Sequence, residues 1–300
     1  MRAPFTGIGT ALVTPFRKDG SIDESAVRRL VRRQIDAGIH FLSPCGTTGE
    51  APTLSDAEKV RVCQLVVEEA AGRVPVLAGA GGYNTREVVE LARALEHVGV
   101  DGLLSVTPYY NRPTPEGLFQ HYRAIAAAVS LPIVLYNVPG RTGVNLDVRT
   151  VVRLSALPNI VGVKEASGNL VQMSEIVAAA PPDFFLLGGD DPLAVAVMAI
   201  GGKGLISVAS NVVPAEMVQV IELAEKGDVA AARRLHGWLL PLLQVNFCEA
   251  NPIPVKAAMA AMGLIDEVYR LPLVSPSPAA RDTIMNVLQE LKLLGSAARV

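Results

Sequence analysis

Eight short apolar runs, each followed by a helix-period segment, predict an α/β chain: a (β/α)8 TIM barrel with a C-terminal helical appendage. Two observations decide for the barrel over an open, doubly wound sheet, whose strands would also read as continuous apolar runs. The runs number eight within about 225 residues, rather than the five or six of an open sheet. No dinucleotide fingerprint follows the first run. Gly79-Ala80-Gly81-Gly82, after the third, fails the G-x-G-x-x-G spacing because Asn84 stands where the last glycine belongs, and it reads as a tight turn.

In chain order the runs begin near Ile8, Phe41, Val74, Gly102, Pro132, Ile160, Phe184 and Gly204. Ser21-Ile22-Asp23-Glu24 and Ser55-Asp56-Ala57-Glu58 have the spacing of capping boxes, a hydroxyl with a carboxylate three residues on. Val60, Cys63, Val67 and Ala70 fall on one face of the helix after the second box, and Val88, Leu91, Ala92 and Leu95 on one face of the next. Thr114-Pro115 is a cap followed by proline at the first helical position. Beyond the eighth unit the chain reads as helical at 230–245, 254–262 and 278–294, with proline-rich links at Asn251-Pro252-Ile253-Pro254 and 272–278. The expected division is a catalytic barrel over residues 1–225 and a helical region, 226–300, packed on it.

Half of the residues are hydrophobic, 19% are charged and the formal net charge is -2, a globular composition with ample core. A nucleic-acid partner would need a basic surface and is not expected. No apolar run approaches the roughly 18 residues of a membrane span. Met1-Arg2-Ala3-Pro4-Phe5-Thr6 lacks the apolar core of a signal peptide. Cys45, Cys63 and Cys248 are odd in number and far apart, which reads as reduced thiols in a cytoplasmic chain. His40, His97, His121 and His236 are scattered without metal-ligand spacing.

In such a barrel the active site lies where the strands end. Ile160 to Val163 is an apolar strand that runs straight into Lys164. An ammonium at the mouth of a barrel can lose hydration, its pKa then moves toward neutrality, and the neutral amine forms a Schiff base with a ketone. Alone, the residue reads more readily as a solvated lysine at a strand end. The other strand ends bring Gly46-Thr47-Thr48-Gly49-Glu50, Thr107-Pro108-Tyr109-Tyr110-Asn111, Tyr136-Asn137 followed by Pro139-Gly140-Arg141-Thr142-Gly143, Gly188-Gly189-Asp190-Asp191 and Ile206-Ser207. Hydroxyls that shuttle protons, amides that hold a carboxylate and a guanidinium fork for a second carboxylate all suit carbonyl chemistry. Each has a plainer reading: a buried tyrosine, a turn, a surface arginine, and for Asp190-Asp191 a helix cap before Pro192 rather than a cation site. Their joint occurrence at strand ends favours the chemical one.

From Gly7-Ile8-Gly9-Thr10-Ala11-Leu12-Val13-Thr14-Pro15 through Asn251-Pro252-Ile253-Pro254-Val255-Lys256, the chain closely resembles the dihydrodipicolinate synthase family of class I aldolase-like barrels, which also includes N-acetylneuraminate lyase. Gly46-Thr47-Thr48-Gly49-Glu50, Tyr136-Asn137-Val138-Pro139-Gly140-Arg141-Thr142-Gly143 and Val163-Lys164-Glu165-Ala166-Ser167-Gly168 carry the resemblance. It implies that Lys164 captures pyruvate, that Tyr136 is the general acid and base, and that Thr47 and Tyr110 complete a proton relay, with Tyr110 serving the neighbouring subunit of a tight dimer. It further implies that Thr48, the backbone of Ile206 and Gly189 bind substrate, and that Arg141 holds the carboxylate of aspartate semialdehyde. The implied product is 4-hydroxy-tetrahydrodipicolinate, on the route to diaminopimelate and lysine, made without metal or organic cofactor by a homotetramer built as a dimer of dimers.

Relatives that act on sugar acids usually lack an arginine in that loop, so Arg141 favours the synthase over the aldolase alternative, with Tyr109-Tyr110 in support. The intact lysine, tyrosine and threonine set argues against a barrel that only binds a keto acid. One departure stands out. Where lysine-inhibited family members carry a His and an Asn, this chain has Lys59 and Tyr83; Glu87 remains. A cationic Lys59 would repel the inhibitor's ammonium, so weak or absent feedback inhibition is expected.

Overall fold

The structure is a computed structural model that describes residues 5–295. The first four residues of the opening stretch read for a signal peptide lie outside the described residues. Strand and helix alternate as expected: β1 (Gly7–Ala11), α1 (Glu24–Asp36), β2 (Phe41–Ser43), α2 (Asp56–Ala70), β3 (Leu77–Gly79), α3 (Thr85–Val98), β4 (Gly102–Val106) and α4 (Pro115–Ala126). There follow β5 (Ile133–Asn137), the one-turn α5 (Pro139–Thr142), α6 (Val148–Leu154), β6 (Ile160–Glu165), α7 (Leu170–Ala179), β7 (Phe185–Gly188), α8 (Ala194–Ala199), β8 (Gly204–Ser207) and α9 (Pro214–Glu225). The C-terminal region holds α10 (Val229–Val245), α11 (Ile253–Ala261) and α12 (Pro278–Glu290).

Every strand pairing is parallel, in the order β2-β1-β8-β7-β6-β5-β4-β3. The ring closes between β2 and β3 through a parallel bridge at Leu42 and Val76, supported by Leu42 N–H donating to the Pro75 carbonyl at 2.9 Å. The third strand starts three residues later than its apolar run because Pro75 has no amide hydrogen for the ladder.

Alternation of side chains divides the apolar residues into two cores. One fills the space between strands and helices; the other is the barrel interior, with Phe5, Phe41, Leu77, Leu104, Val134, Phe185, Leu187 and Ile206. The lower interior is packed by rings set against glycines: a Cβ on Gly9 would lie 2.1 Å from the Phe41 ring, and one on Gly162 2.5 Å from that of Phe185. These rings plug the bottom, and the two larger cavities lie at the strands' C-terminal ends.

Two helix readings need correction. Ser21 does not cap α1; Asp23 does, accepting from Ala26 N–H at 3.0 Å, while Ser21 turns to Asp19 and Glu24 to Arg61. The helix starts after the residue whose carboxylate reaches its free amides, and Asp23 is nearer than Ser21. On α2 the buried face is Val62, Cys63, Leu65, Val66 and Ala70; Val60 and Val67 are half-buried, one step round the helix. The Ser55–Glu58 box, the α3 face and the Thr114-Pro115 start stand as read.

Candidate active site

Lys164 and Tyr136 are neighbours because β5 and β6 pair them directly in register. Period-two alternation turns both inward at the open end, and each is about 6% exposed. The Lys164 Nζ lies over the Tyr136 ring, 4.3 Å from its centroid, so the phenol's π face takes up part of the ammonium's lost hydration. The next residue, Glu165, points the other way and is locked by Asn137 Nδ2, Gln172 Nε2 and the Ser167 amide, at 2.8 to 2.9 Å. That clamp fixes the strand end from outside and with it the lysine's direction.

A cavity of about 50 Å³ surrounds the amine, lined by Ser43, Thr47, Thr48, Tyr136, Arg141, Lys164, Gly189, Asp190, Ile206 and Asn251 among others. Of the eight residues expected from the sequence, seven meet here. Tyr110 does not: it is 89% exposed, with φ of 69°, on the loop after β4. A larger cavity of about 250 Å³ shares the Thr47, Tyr136 and Arg141 walls and extends to Cys45, Lys59 and Tyr109. The amine faces the smaller one.

Gly189 is where Lys164 needs room, since a Cβ there would lie 3.0 Å from the lysine's Cε and 2.5 Å from the Ala166 Cβ. The Gly46–Glu50 loop is folded on itself, Gly49 and Ala51 amides both donating to the Gly46 carbonyl. It is flanked by Cys45 and Glu50, both in the left-handed region at φ of 57° and 54°. For non-glycine residues this conformation is strained and needs outside support. Glu50 receives it from Lys256, with which it forms an ion pair exposed on neither side.

Several residues of the site fall outside the set expected to bind or react. Asp190 lines the cavity, where burial pushes its carboxyl above the usual value against the pull of Lys164. It stands at the N-cap position of the turn that contains Pro192, as expected, with its main-chain carbonyl accepting from the Leu193 amide at 3.0 Å, but its side chain makes no cap bond. Asp191 accepts from Val208 and Ala209 amides at 2.9 Å, bracing the β7 end against the β8 loop. Ser43 and Asn251 each turn a buried oxygen without a protein partner into this region. Buried polar atoms without a partner are few in folded proteins, and here a bound ligand would supply one. A serine inside a short strand and an asparagine in a proline-rich link have no local pattern that marks them as functional.

A primary amine drawn out of water beside a phenol, at the mouth of a (β/α)8 barrel, is equipped to form an imine with a keto acid. The class that fold and site define together is the Schiff-base-forming lyase of class I aldolase type. The chain belongs to the dihydrodipicolinate synthetase family, whose model matches residues 4–291. It is 51% identical over 292 residues to the 4-hydroxy-tetrahydrodipicolinate synthase of Koribacter versatilis, covering 97% of each chain. Among solved structures, dihydrodipicolinate synthase from Aquifex aeolicus superposes with a TM-score of 0.95 at 43% identity, covering 96% of this chain and 99% of that one. The enzyme from Acinetobacter baumannii, solved in complex with pyruvate, gives 0.95 at 43% identity over 96% of this chain and 99% of its own.

Proposed function

We propose that the Lys164 amine captures pyruvate and that this chain condenses it with L-aspartate 4-semialdehyde, yielding 4-hydroxy-tetrahydrodipicolinate for diaminopimelate and lysine biosynthesis. The observation that carries the reading is the amine itself, buried, turned into the barrel mouth and set against Tyr136. Its relatives at about half identity bear the synthase name.

The chemistry follows from the placement. Nζ attacks the pyruvate carbonyl carbon to give a carbinolamine; its hydroxyl takes a proton from the Tyr136 phenol and leaves as water, and the imine remains on Lys164. Loss of a methyl proton then gives an enamine whose carbon attacks the aldehyde, and the second substrate's own amine displaces Lys164 to close the ring. Thr48 holds the pyruvate carboxylate, the Ile206 backbone and Gly189 bound its site, and Arg141 receives the other carboxylate. Thr47 and Tyr110 relay protons, Tyr110 from the partner in a homotetramer assembled as a dimer of dimers. Its near-complete exposure supports that role, since it is free to enter a neighbour. We assign the enzyme to the cytoplasm; among the described residues no helix is long and apolar enough to cross a membrane.

Borohydride reduction in the presence of pyruvate is the test. It should add one reduced pyruvyl group, on the peptide that contains Lys164, and Lys164→Ala should abolish both adduct and turnover. An adduct elsewhere, or turnover without Lys164, ends the reading. The sugar-acid aldolase alternative predicts faster turnover of a polyhydroxy aldehyde than of aspartate semialdehyde with the same pyruvate.

A further inference from the structure

Asn251 belongs to the C-terminal region, beyond the barrel, yet it touches both groups that the proposed reading gives to substrate carboxylates. Its Nδ2 donates to Thr48 Oγ1 at 3.0 Å, and its main-chain carbonyl accepts from Arg141 Nη2 at 3.3 Å. Asn251 is only 5% exposed, and its Oδ1 is buried with no partner. The Ala250 carbonyl accepts from the Ile253 amide at 2.9 Å, and Tyr269 Oη donates to the Ile253 carbonyl at 3.1 Å, so the backbone around it is tied down.

We infer that Asn251 is a positioning residue: by donating to Thr48 it turns the threonine's own proton toward the substrate carboxylate, and by its carbonyl it steers Arg141.

The argument is one of donors and acceptors. A threonine hydroxyl has one proton and two lone pairs. When a lone pair is occupied by an amide N–H, the proton is excluded from that side and stays available for an anion in the cavity. An ammonium or guanidinium at this position would compete with Arg141, and a carboxylate would reverse the sense of the bond. An amide donates without bringing charge between two carboxylate sites. The main-chain carbonyl does the complementary task, holding one guanidinium nitrogen and leaving the rest of the fork free. This inference rests on the proposed role of Thr48, and the experiment separates the two.

The parent enzyme is first trapped with pyruvate and borohydride; absence of the adduct would refute the proposed function, whatever Asn251 does. Given the adduct, three variants are compared in KM for pyruvate, kcat and melting temperature. Asn251→Ala should raise KM about tenfold, the worth of one hydrogen bond to a charged group's partner, with a smaller change in kcat. Asn251→Asp should raise it on the order of a hundredfold near neutral pH, because its carboxylate takes the Thr48 proton and repels the substrate. Its KM should recover as pH falls and the new carboxyl becomes a donor, a trend absent from the parent. If Asn251→Asp leaves KM within about twofold of the parent, the amide faces the other way and the inference fails. Equal, pH-independent losses in the Ala and Asp variants would mean a packing role and also overturn it. Should Asn251→Asp not fold, a double-mutant cycle of Asn251→Ala with Thr48→Ala decides: coupled KM effects support the inference, and purely multiplicative ones refute it.

Discussion

Gly189 and Lys59 show how single side chains set limits on this site. A methyl added at position 189 would lie 2.5 Å from the Ala166 Cβ, which is fixed to the backbone, and 3.0 Å from Lys164 Cε, so the lysine would have to shift within its cavity. Overpacking of this kind costs about 1–3 kcal/mol. Gly189→Ala is expected to slow borohydride trapping of pyruvate at least tenfold while the fold survives; an unchanged trapping rate would show that the lysine moves aside freely. Lys59 lines the larger cavity and pairs with Asp56 at 2.8 Å, while Tyr83 stacks edge-on against Tyr109 and Glu87 is engaged by Asn84. An amino acid's ammonium would meet a cation there. Free lysine should therefore inhibit only above the millimolar range, and an inhibition curve with a sub-millimolar midpoint would contradict this.

At the scale of elements, α2 is anchored at its start by two partners at once. Glu58 closes the capping box on Ser55 and also receives a two-pronged bond from Arg270, at 2.6 and 2.9 Å. Arg270 further bonds the Gly20 and Thr53 carbonyls and lies over the Phe16 ring. The guanidinium holds the Glu58 carboxyl down at about 2, from 4.5. A carboxyl with a depressed folded pKa adds stability that is complete above its unfolded value and is lost as pH falls through the folded one. Glu58→Gln keeps the capping box but removes the charge. With the pair partly open to solvent, it should cost about 1 kcal/mol at neutral pH, and denaturant melts of parent and variant should converge between about pH 4.5 and 2. A pH-independent difference would place the effect in packing. The Ser55 box was legible because its parts lie three residues apart; Arg270 lies some two hundred residues away and leaves no trace near α2.

Across the whole molecule, the C-terminal helices complete the site rather than decorate the barrel. We propose that residues 226–300 form one functional unit with it. Lys256, on α11, is fully buried between the Phe16 and Tyr269 rings and pairs with Glu50 at the end of the Gly46–Glu50 loop. Burial pulls its pKa down, and Glu50 opposes the shift. Removing one member leaves an unpaired buried charge, at about 3–5 kcal/mol. Lys256→Met should therefore lower stability by that order and also reduce turnover, because the pair is one of the contacts that brace the left-handed Glu50 backbone. Adding Glu50→Gln should restore much of the stability in chemical denaturation; a double variant no better than the single would show that the pair's charges are not what matters. A chain ending at residue 225 lacks both Lys256 and Asn251 and should show no turnover even if it folds.

From the order of residues alone follow the eight-unit barrel and the strand-end identities of Lys164, Tyr136, Thr47, Thr48, Arg141, Gly189 and Ile206. Such features repeat with a local period or stand at a strand's end, where a few neighbouring residues settle the matter. Which side chains face the same empty space was decided only by closure of the ring, because register between β5 and β6 is a relation across 28 residues of chain. The same holds for Asn251 on Thr48, Lys256 on Glu50 and Asp191 on the β8 loop. Each is a bond between segments whose sequences contain no record of the other, and packing alone brings them within reach.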